Sequence, residues 1–436
     1  MACRRADTGS PAGISVDGPP VGEYHENRLE WPVLKVRGGF IGTGWLGEVM
    51  IDAAGDRVPR FPPRTGPSPT GLDAAGRAVA DVVPPQPLPA PTGAARYRLD
   101  LAQVLDPAQM RAITDTGRLT FHLLGDVGGV KAPQDQQIVA LNLAADAHRD
   151  SDPARFAYLM GDVVYYNGEA DQYYPQFYEP YADYPCPIFS VPGNHDGTPL
   201  QGSSSLDAWM ANFATKTPVR SPDARDVPRL TMTQPNCYWT LTGPLVSVVG
   251  LYSNVPENGY IDPDQADWFA GELAHAPADR ALIVTSHHPS LSLDRYHGGS
   301  APMLQVIDAA ITASGRVPDL VTAGHVHDYQ RWERDINGVT VPFLVAGAGG
   351  YWHLHEVLDS NRQPPTLPYP VPQANAKLVS YVDDRHGYLR VTATTGGLDL
   401  EYVTVPRPQE SWHTPGAVYE AFTIPHPAQP PRGPAQ

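Results

Sequence analysis

Seven residues with oxygen or nitrogen donor atoms recur just after apolar runs: Asp126 in GDVGG, Asp162 and Tyr165 in GDVVY, Asn194 in GNHD, His287 in SHHP, and His325 and His327 in GHVH. Carboxylate, phenolate, amide oxygen and imidazole can together hold a pair of first-row metal ions, one harder and one more borderline. Glycine precedes Asp126, Asp162, Asn194 and His325. It suits tight strand-to-loop turns that aim side chains at one centre. A plainer reading makes the Asp and Asn residues turn and cap formers after strands, but five clusters in order argue for one shared site. For Tyr165 the plainer reading is an aromatic packed under a tyrosine-rich loop.

The runs that lead into these clusters set the architecture. LTFHLLGD, RFAYLMGD, PIFSVPGNHD, PLVSVVGLYSN, ALIVTSHHP, DLVTAGHVH and VPFLVAGAGG carry continuous apolar stretches, the pattern of strands buried on both faces of an α/β layered sheet. Helices are expected between them, over 132–148 with Ile138, Leu141 and Ala145 on the inner face, over 264–273 and over 303–313. GYLRVTATTGGLDLEYVTV at 387–405 reads as strand, Gly-Gly turn and strand. Because the polar clusters follow their strands, they should gather along one sheet edge, where ligands sit in α/β folds. A catalytic domain is expected over 118–405. Residues 1–117 form an irregular, Pro-rich N-terminal region of unassigned type, with strand-like pieces at Val33–Val36 and Glu48–Ile51 and a linker-like VPPQPLPAPTG at 83–93. Residues 406–436 are a Pro-rich tail expected to wrap or fray.

Composition narrows the functions. A hydrophobic fraction of 42% with 18% charged residues describes an ordinary folded chain. Net charge is −16, and Lys35, Lys131, Lys216 and Lys377 are the only lysines. Such a field repels nucleic acid and anionic membranes. It also repels phosphate esters, so phosphate chemistry needs local positive charge, for which bound metal is the natural source. Three cysteines over 436 residues make no disulfide framework and suit a reducing compartment. No apolar stretch follows Arg4 and Arg5, and no membrane-spanning run appears. A cytoplasmic location is expected, or a periplasmic or secreted one if a leader was removed before Met1.

The ordered series GDxG, GDxxY, GNH, a strand-terminal His two residues before Pro, and GHxH resembles the purple acid phosphatases, within the calcineurin-like metallophosphoesterases. GHVHDYQR at 324–331 is especially similar, and YIDPDQADWFAGEL at 260–273 adds weaker support. The likeness spans roughly residues 118–405. It implies a metallophosphoesterase fold of layered mixed sheets flanked by helices. Most metallophosphoesterases carry a metal-binding His two residues after the first Asp. That position here is Gly128, and Tyr165 stands three residues after Asp162, the exchange that sets purple acid phosphatases apart. A phenolate is a hard anionic donor that favours Fe(III).

The resemblance further implies that Asp126, Tyr165, His327 and a bridging Asp162 hold Fe(III). Asn194, His287, His325 and the same Asp162 would hold a divalent Zn, Mn or Fe ion. A metal-bridging or terminal hydroxide would then hydrolyse a small-molecule phosphate monoester, the reaction of an acid phosphatase. His195 is placed by the likeness against the phosphate oxygens, though it would equally serve to orient its loop. His297 in DRYHGG resembles a family histidine thought to protonate the leaving group, against the reading of a solvated loop histidine. His288 is expected behind the ligands, and His353 and His355 as ordinary hydrogen-bonding residues. Asp196 and Asp328 depart from the family pattern. The competing readings are a phosphodiesterase or nucleotidase with two divalent ions, and a catalytically silent metal-stabilised binding protein.

Overall fold

A computed structural model of the chain describes residues 50–51, 57–58, 87–94, 96–197, 206–254, 259–410 and 414–426. The chain divides into two units, Met1–Arg60 and Phe61–Gln436. In the first, Met50–Ile51 pairs antiparallel with Arg57–Val58; Val33–Val36 and residues 83–86 lie outside the described residues.

The second unit is built on two mixed sheets. Six strands run Ala417–Pro425, Gly397–Thr404, Gly387–Thr394, Arg118–Leu124, Ala157–Met160 and Ile188–Val191. The last three are parallel neighbours. Nine strands run Tyr369–Val371, Ala376–Val382, Tyr329–Ile336, Val339–Ala346, Leu320–Ala323, Ala281–Ser286, Val246–Gly250, Trp239–Thr242 and Arg98–Asp100. Here too Val246–Gly250, Ala281–Ser286 and Leu320–Ala323 run parallel.

Burial explains the layering. One apolar cluster joins Phe121, Tyr158 and Phe189 of the smaller sheet to Trp239, Val248 and Ile283 of the larger, so the sheets face each other across it. Tyr158 stacks on Trp239 at 5.6 Å. Gly250 permits the approach: a β-carbon there would stand 2.1 Å from the Tyr158 hydroxyl. Helices cover the outer faces, with Pro133–Ala147 packed on the smaller sheet and Pro263–Ala274 and Ala301–Ser314 on the larger. The helix ends are chemically marked. Ser300 caps the last helix through the Met303 N–H, and Gly315 closes it at φ 67°. The α/β architecture of layered mixed sheets flanked by helices is therefore the one the sequence predicts.

Three details differ from the sequence expectation. The ordered body extends beyond 118–405 at both ends, since Arg98–Asp100 pairs with Trp239–Thr242 and Ala417–Pro425 with Gly397–Thr404. Helix Pro107–Thr116, capped by Asp106 and Gln109, also precedes residue 118. In Pro133–Ala147, Ile138 is buried, but Leu141 is 46% exposed and Ala145 is exposed. The buried face instead carries Gln136, Val139, Leu143 and Asp146. Hydrogen bonds make those two polar residues acceptable inside: Asp146 meets His122 and Arg390, and Gln136 accepts from the Gly129 N–H. Cys186 and Cys237 are buried and unbridged.

Candidate metal centre

Parallel strands in both sheets deliver the clusters to one edge. Asp126 follows Arg118–Leu124, Asp162 follows Ala157–Met160, and Asn194 and His195 follow Ile188–Val191. From the other sheet, His287 follows Ala281–Ser286, and His325 and His327 follow Leu320–Ala323. Backbone bonds lock these loops together: Asp126 N–H donates to Gly161 O at 3.0 Å, and Gly324 N–H to His287 O at 3.0 Å.

The glycines act partly as expected and partly otherwise. Asp126, Asp162 and His325 themselves hold left-handed φ values of 57°, 52° and 69°, a strained conformation of the kind that collects at functional sites. The preceding glycines mainly allow loops to touch. A β-carbon on Gly125 would stand 2.9 Å from the Cα of Gly324, and one on Gly193 would stand 2.1 Å from Oδ1 of Asp162.

Two triangles of donor atoms result. In the first, the Tyr165 hydroxyl lies 3.3 Å from Asp126 Oδ1 and 3.4 Å from His327 Nε2, and those two lie 3.4 Å apart. In the second, Asn194 Oδ1 lies 2.8 Å from His287 Nε2 and 3.0 Å from His325 Nδ1, and the two nitrogens are 3.2 Å apart. Asp162 stands between them. Its Oδ2 is 3.4 Å from His287 Nε2, and donor atoms of Asp126, Asp162 and His287 all fall within 4.8 Å of one another. Donors bonded to one first-row ion at about 2.0–2.1 Å are themselves about 2.8–3.4 Å apart, so both triangles fit.

The imidazole tautomers sharpen the test. His287 Nδ1 is 2.9 Å from the Met160 carbonyl, and His327 Nδ1 is 2.8 Å from the His353 carbonyl. A carbonyl only accepts, so each Nδ1 carries the hydrogen and each Nε2 faces the triangle. Burial alone would lower the His287 pKa, yet the Asp162 and Asp126 carboxylates outweigh it and hold that pKa at about 9. Positive charge therefore belongs at this point, as a proton or as a cation. Burial, then the Asp162 carboxylate, pushes Asp196 up to about 7. Burial also raises the Tyr165 phenol well above its usual value, with Asp162 and Asp126 adding to the effect.

Every candidate residue reaches this edge. His195 donates its backbone N–H to Asp162 Oδ1 at 2.8 Å, and its Nδ1 meets the Tyr166 carbonyl at 2.9 Å. His297 is half-buried rather than solvated, with its ring 4.3 Å from that of His325. His288 lies behind the ligands, Nδ1 on Ser253 Oγ at 2.7 Å. His355 does meet a carboxylate, Asp294 at 3.6 Å, and its ring lies 4.2 Å from that of His327. Asp328 is buried and accepts from Gln330.

Sequence reasoning passed over two residues, Asp294 and Gln176, and gave a third, Asp196, no role. Asp294 accepts the backbone N–H groups of Tyr296, His297 and Gly298, which fixes the loop that carries His297. Gln176 clamps Tyr165 at both backbone groups, accepting from its N–H at 3.0 Å and donating to its carbonyl at 2.8 Å. Asp196 accepts from Val163, Val164 and Gly193. Their partners are backbone groups distant in sequence, so no short motif marks Gln176 or Asp294. For Asp196 the signal was its place in GNHD.

A purple acid phosphatase from yellow lupin (Lupinus luteus) seeds aligns at 15% identity over 71% of this chain and 54% of the lupin chain, with a TM-score of 0.47. The chain thus spans about half of that protein. The inner membrane complex anchor GAP50 of Plasmodium aligns at 14% identity over 71% and 89% of the two chains, TM-score 0.48. PhoD aligns at 12% identity over 78% and 72%, TM-score 0.42. No curated protein sequence matches the chain. Residues 119–329 match the calcineurin-like phosphoesterase family. They carry every ligand candidate described above, so the segment that matches the calcineurin-like phosphoesterases is the one that builds this centre.

Proposed function

We propose that the two donor triangles hold an Fe(III) ion and a divalent Zn, Mn or Fe ion, bridged by Asp162, and that the chain hydrolyses phosphate monoesters there. Asp126, Tyr165 and His327 hold the ferric ion; Asn194, His287 and His325 hold the divalent one. The observation that carries this reading is the Tyr165 hydroxyl at 3.3–3.4 Å from Asp126 and His327. A phenol whose pKa is raised by burial loses its proton only to a strongly Lewis-acidic ion. Anionic donors on one side and neutral ones on the other support a trivalent–divalent split.

When bound, such ions supply Lewis-acid polarisation of the phosphoryl oxygens and lower the pKa of a water for in-line attack on phosphorus. The remaining work falls to side chains. His195, its Nδ1 fixed on the Tyr166 carbonyl, turns its other ring nitrogen to a phosphate oxygen. His297 gives a proton to the departing alcohol oxygen.

Iron loading under oxidising conditions tests the reading. The wild-type protein should gain a violet or pink charge-transfer band, absent in Tyr165→Phe, and turn over monoesters faster than diesters. A colourless protein that is active with two divalent ions would favour the plain divalent phosphodiesterase or nucleotidase, with Tyr165 as packing.

A further inference from the structure

An aromatic rim adjoins the ferric side of the centre. Tyr351 packs its ring 4.7 Å from His327, and Trp352 follows it at 6.2 Å. His353 lies 5.0 Å from Trp352 and 5.2 Å from Tyr296. Through its carbonyl, His353 is also bonded to the His327 imidazole. The rim is therefore continuous with a proposed ligand. Two of its rings remain open, Trp352 at 38% and Tyr296 at 49% exposure. Single exposed aromatics are common, but these are joined side by side at the edge of a charged centre.

Charge points the same way. In a chain of net charge −16 with four lysines, Lys131 Nζ stands 5.1 Å over the Trp352 ring. The Arg295 guanidinium lies 5.8 Å from the Tyr296 ring, with Glu356 paired to it at 3.0 Å. Cations beside open aromatic rings suit a ligand that is both flat and anionic.

We infer that this rim binds the alcohol half of the substrate, and that the preferred phosphate esters carry a flat aromatic ring, as nucleotides and aryl phosphates do, stacked on Trp352. The inference rests on the phosphoesterase reading of the centre. Stacking of a base on a protein aromatic is sequence-tolerant, needs no hydrogen-bond pairing, and multiplies affinity by roughly 5- to 100-fold.

Matched pairs on the metal-loaded protein isolate the ring. Adenosine 5′-monophosphate and ribose 5-phosphate share one kind of primary ester and differ in the base; benzyl and cyclohexylmethyl phosphate, both primary alkyl esters with similar leaving groups, differ in ring flatness. In at least one pair the aromatic member should have the higher kcat/KM, by about 5- to 100-fold. The gain should lie mostly in KM, collapse in Trp352→Ala and partly survive in Trp352→Phe. The pair that responds shows whether the ring sits one carbon or a whole sugar away from the ester oxygen. Ratios near one in both pairs, or ratios unchanged in Trp352→Ala, would overturn the inference.

Absence of all turnover would instead count against the phosphoesterase reading. The rim would then be decided by calorimetric titration with the same two pairs, where equal affinities within each pair overturn it. Sedimentation provides the last control. Self-association lost in Trp352→Ala would assign the rim to a second copy of the chain and overturn the inference.

Discussion

A β-carbon added to Gly128 would stand 2.6 Å from Cδ2 of Tyr165 and 2.6 Å from Oε1 of Gln176, the residue that clamps Tyr165. The absence of a side chain at 128 and the presence of the tyrosine at 165 are thus one steric fact. A histidine at 128 and the observed Tyr165 ring would occupy the same space. Gly128→Ala should therefore push the ring off Asp126 and His327, at a cost of about 1–3 kcal/mol from overpacking. Thermal unfolding would register the cost, and iron content with the visible spectrum would register the displaced ligand. An alanine variant with unchanged stability and iron affinity would show that the ring has room to yield.

Asp162 faces the second triangle through Oδ2 and receives the His195 N–H on Oδ1. Asp162→Asn keeps the shape but removes the charge that draws a cation to both sides. Metal analysis after dialysis should find both ions lost or weakly held, with hydrolysis near background. Two tightly bound ions in this variant would remove Asp162 from the bridging role.

Stability should fall in acid for a reason separate from the metals. His386 is buried, its Nε2 2.9 Å from the Tyr351 carbonyl, and burial pushes its pKa down to about 4. The unfolded imidazole titrates near 6.5. Between the two values the unfolded chain binds more protons, so stability is intact above about 6.5 and falls as pH drops toward 4, by at most about 3.5 kcal/mol. Asp135 lies 3.6 Å away, and burial pushes its carboxyl up to about 6. It acts with the opposite sign, favouring the fold as it protonates below about 6, and offsets part of the loss. Melting temperatures across this range should fall less steeply in His386→Gln and more steeply in Asp135→Asn. Parallel curves for all three proteins would exclude both groups.

Why some of this was legible in the sequence and some was not comes down to the range of the interactions. Asp126, Asp162, Asn194, His287 and the pair His325 and His327 were readable because they sit at the ends of five apolar runs, and parallel strands within each sheet bring such ends to one edge. The inner face of Pro133–Ala147 was not. Apolar periodicity put Leu141 inside, whereas Gln136 and Asp146 took the buried positions through partners as distant as Arg390. The edge strands Arg98–Asp100 and Ala417–Pro425 were missed for a similar reason. The first is three residues long and the second has mostly exposed side chains, so neither shows a core pattern. Only the neighbouring strand makes them part of a sheet.

His297 offers the most discriminating kinetic test, because its position depends on a second residue. Asp294 is buried and gathers the N–H groups of Tyr296, His297 and Gly298, holding the His297 ring 4.3 Å from His325 and 5.2 Å from His355. If His297 protonates the departing alcohol, its removal matters only where the leaving group needs a proton. His297→Ala should lose about 10²–10⁴-fold in kcat on an alkyl phosphate and little on nitrophenyl phosphate, with both metals retained. Asp294→Ala releases three backbone N–H groups and lets the loop move. It should reproduce the same leaving-group dependence with a smaller loss, because the imidazole is still present but no longer aimed. Equal losses on both substrates would turn His297 into a phosphate-binding or loop-supporting residue. A normal Asp294→Ala enzyme beside an impaired His297→Ala enzyme would show that His325, His355 and the rest of the loop suffice to hold the ring.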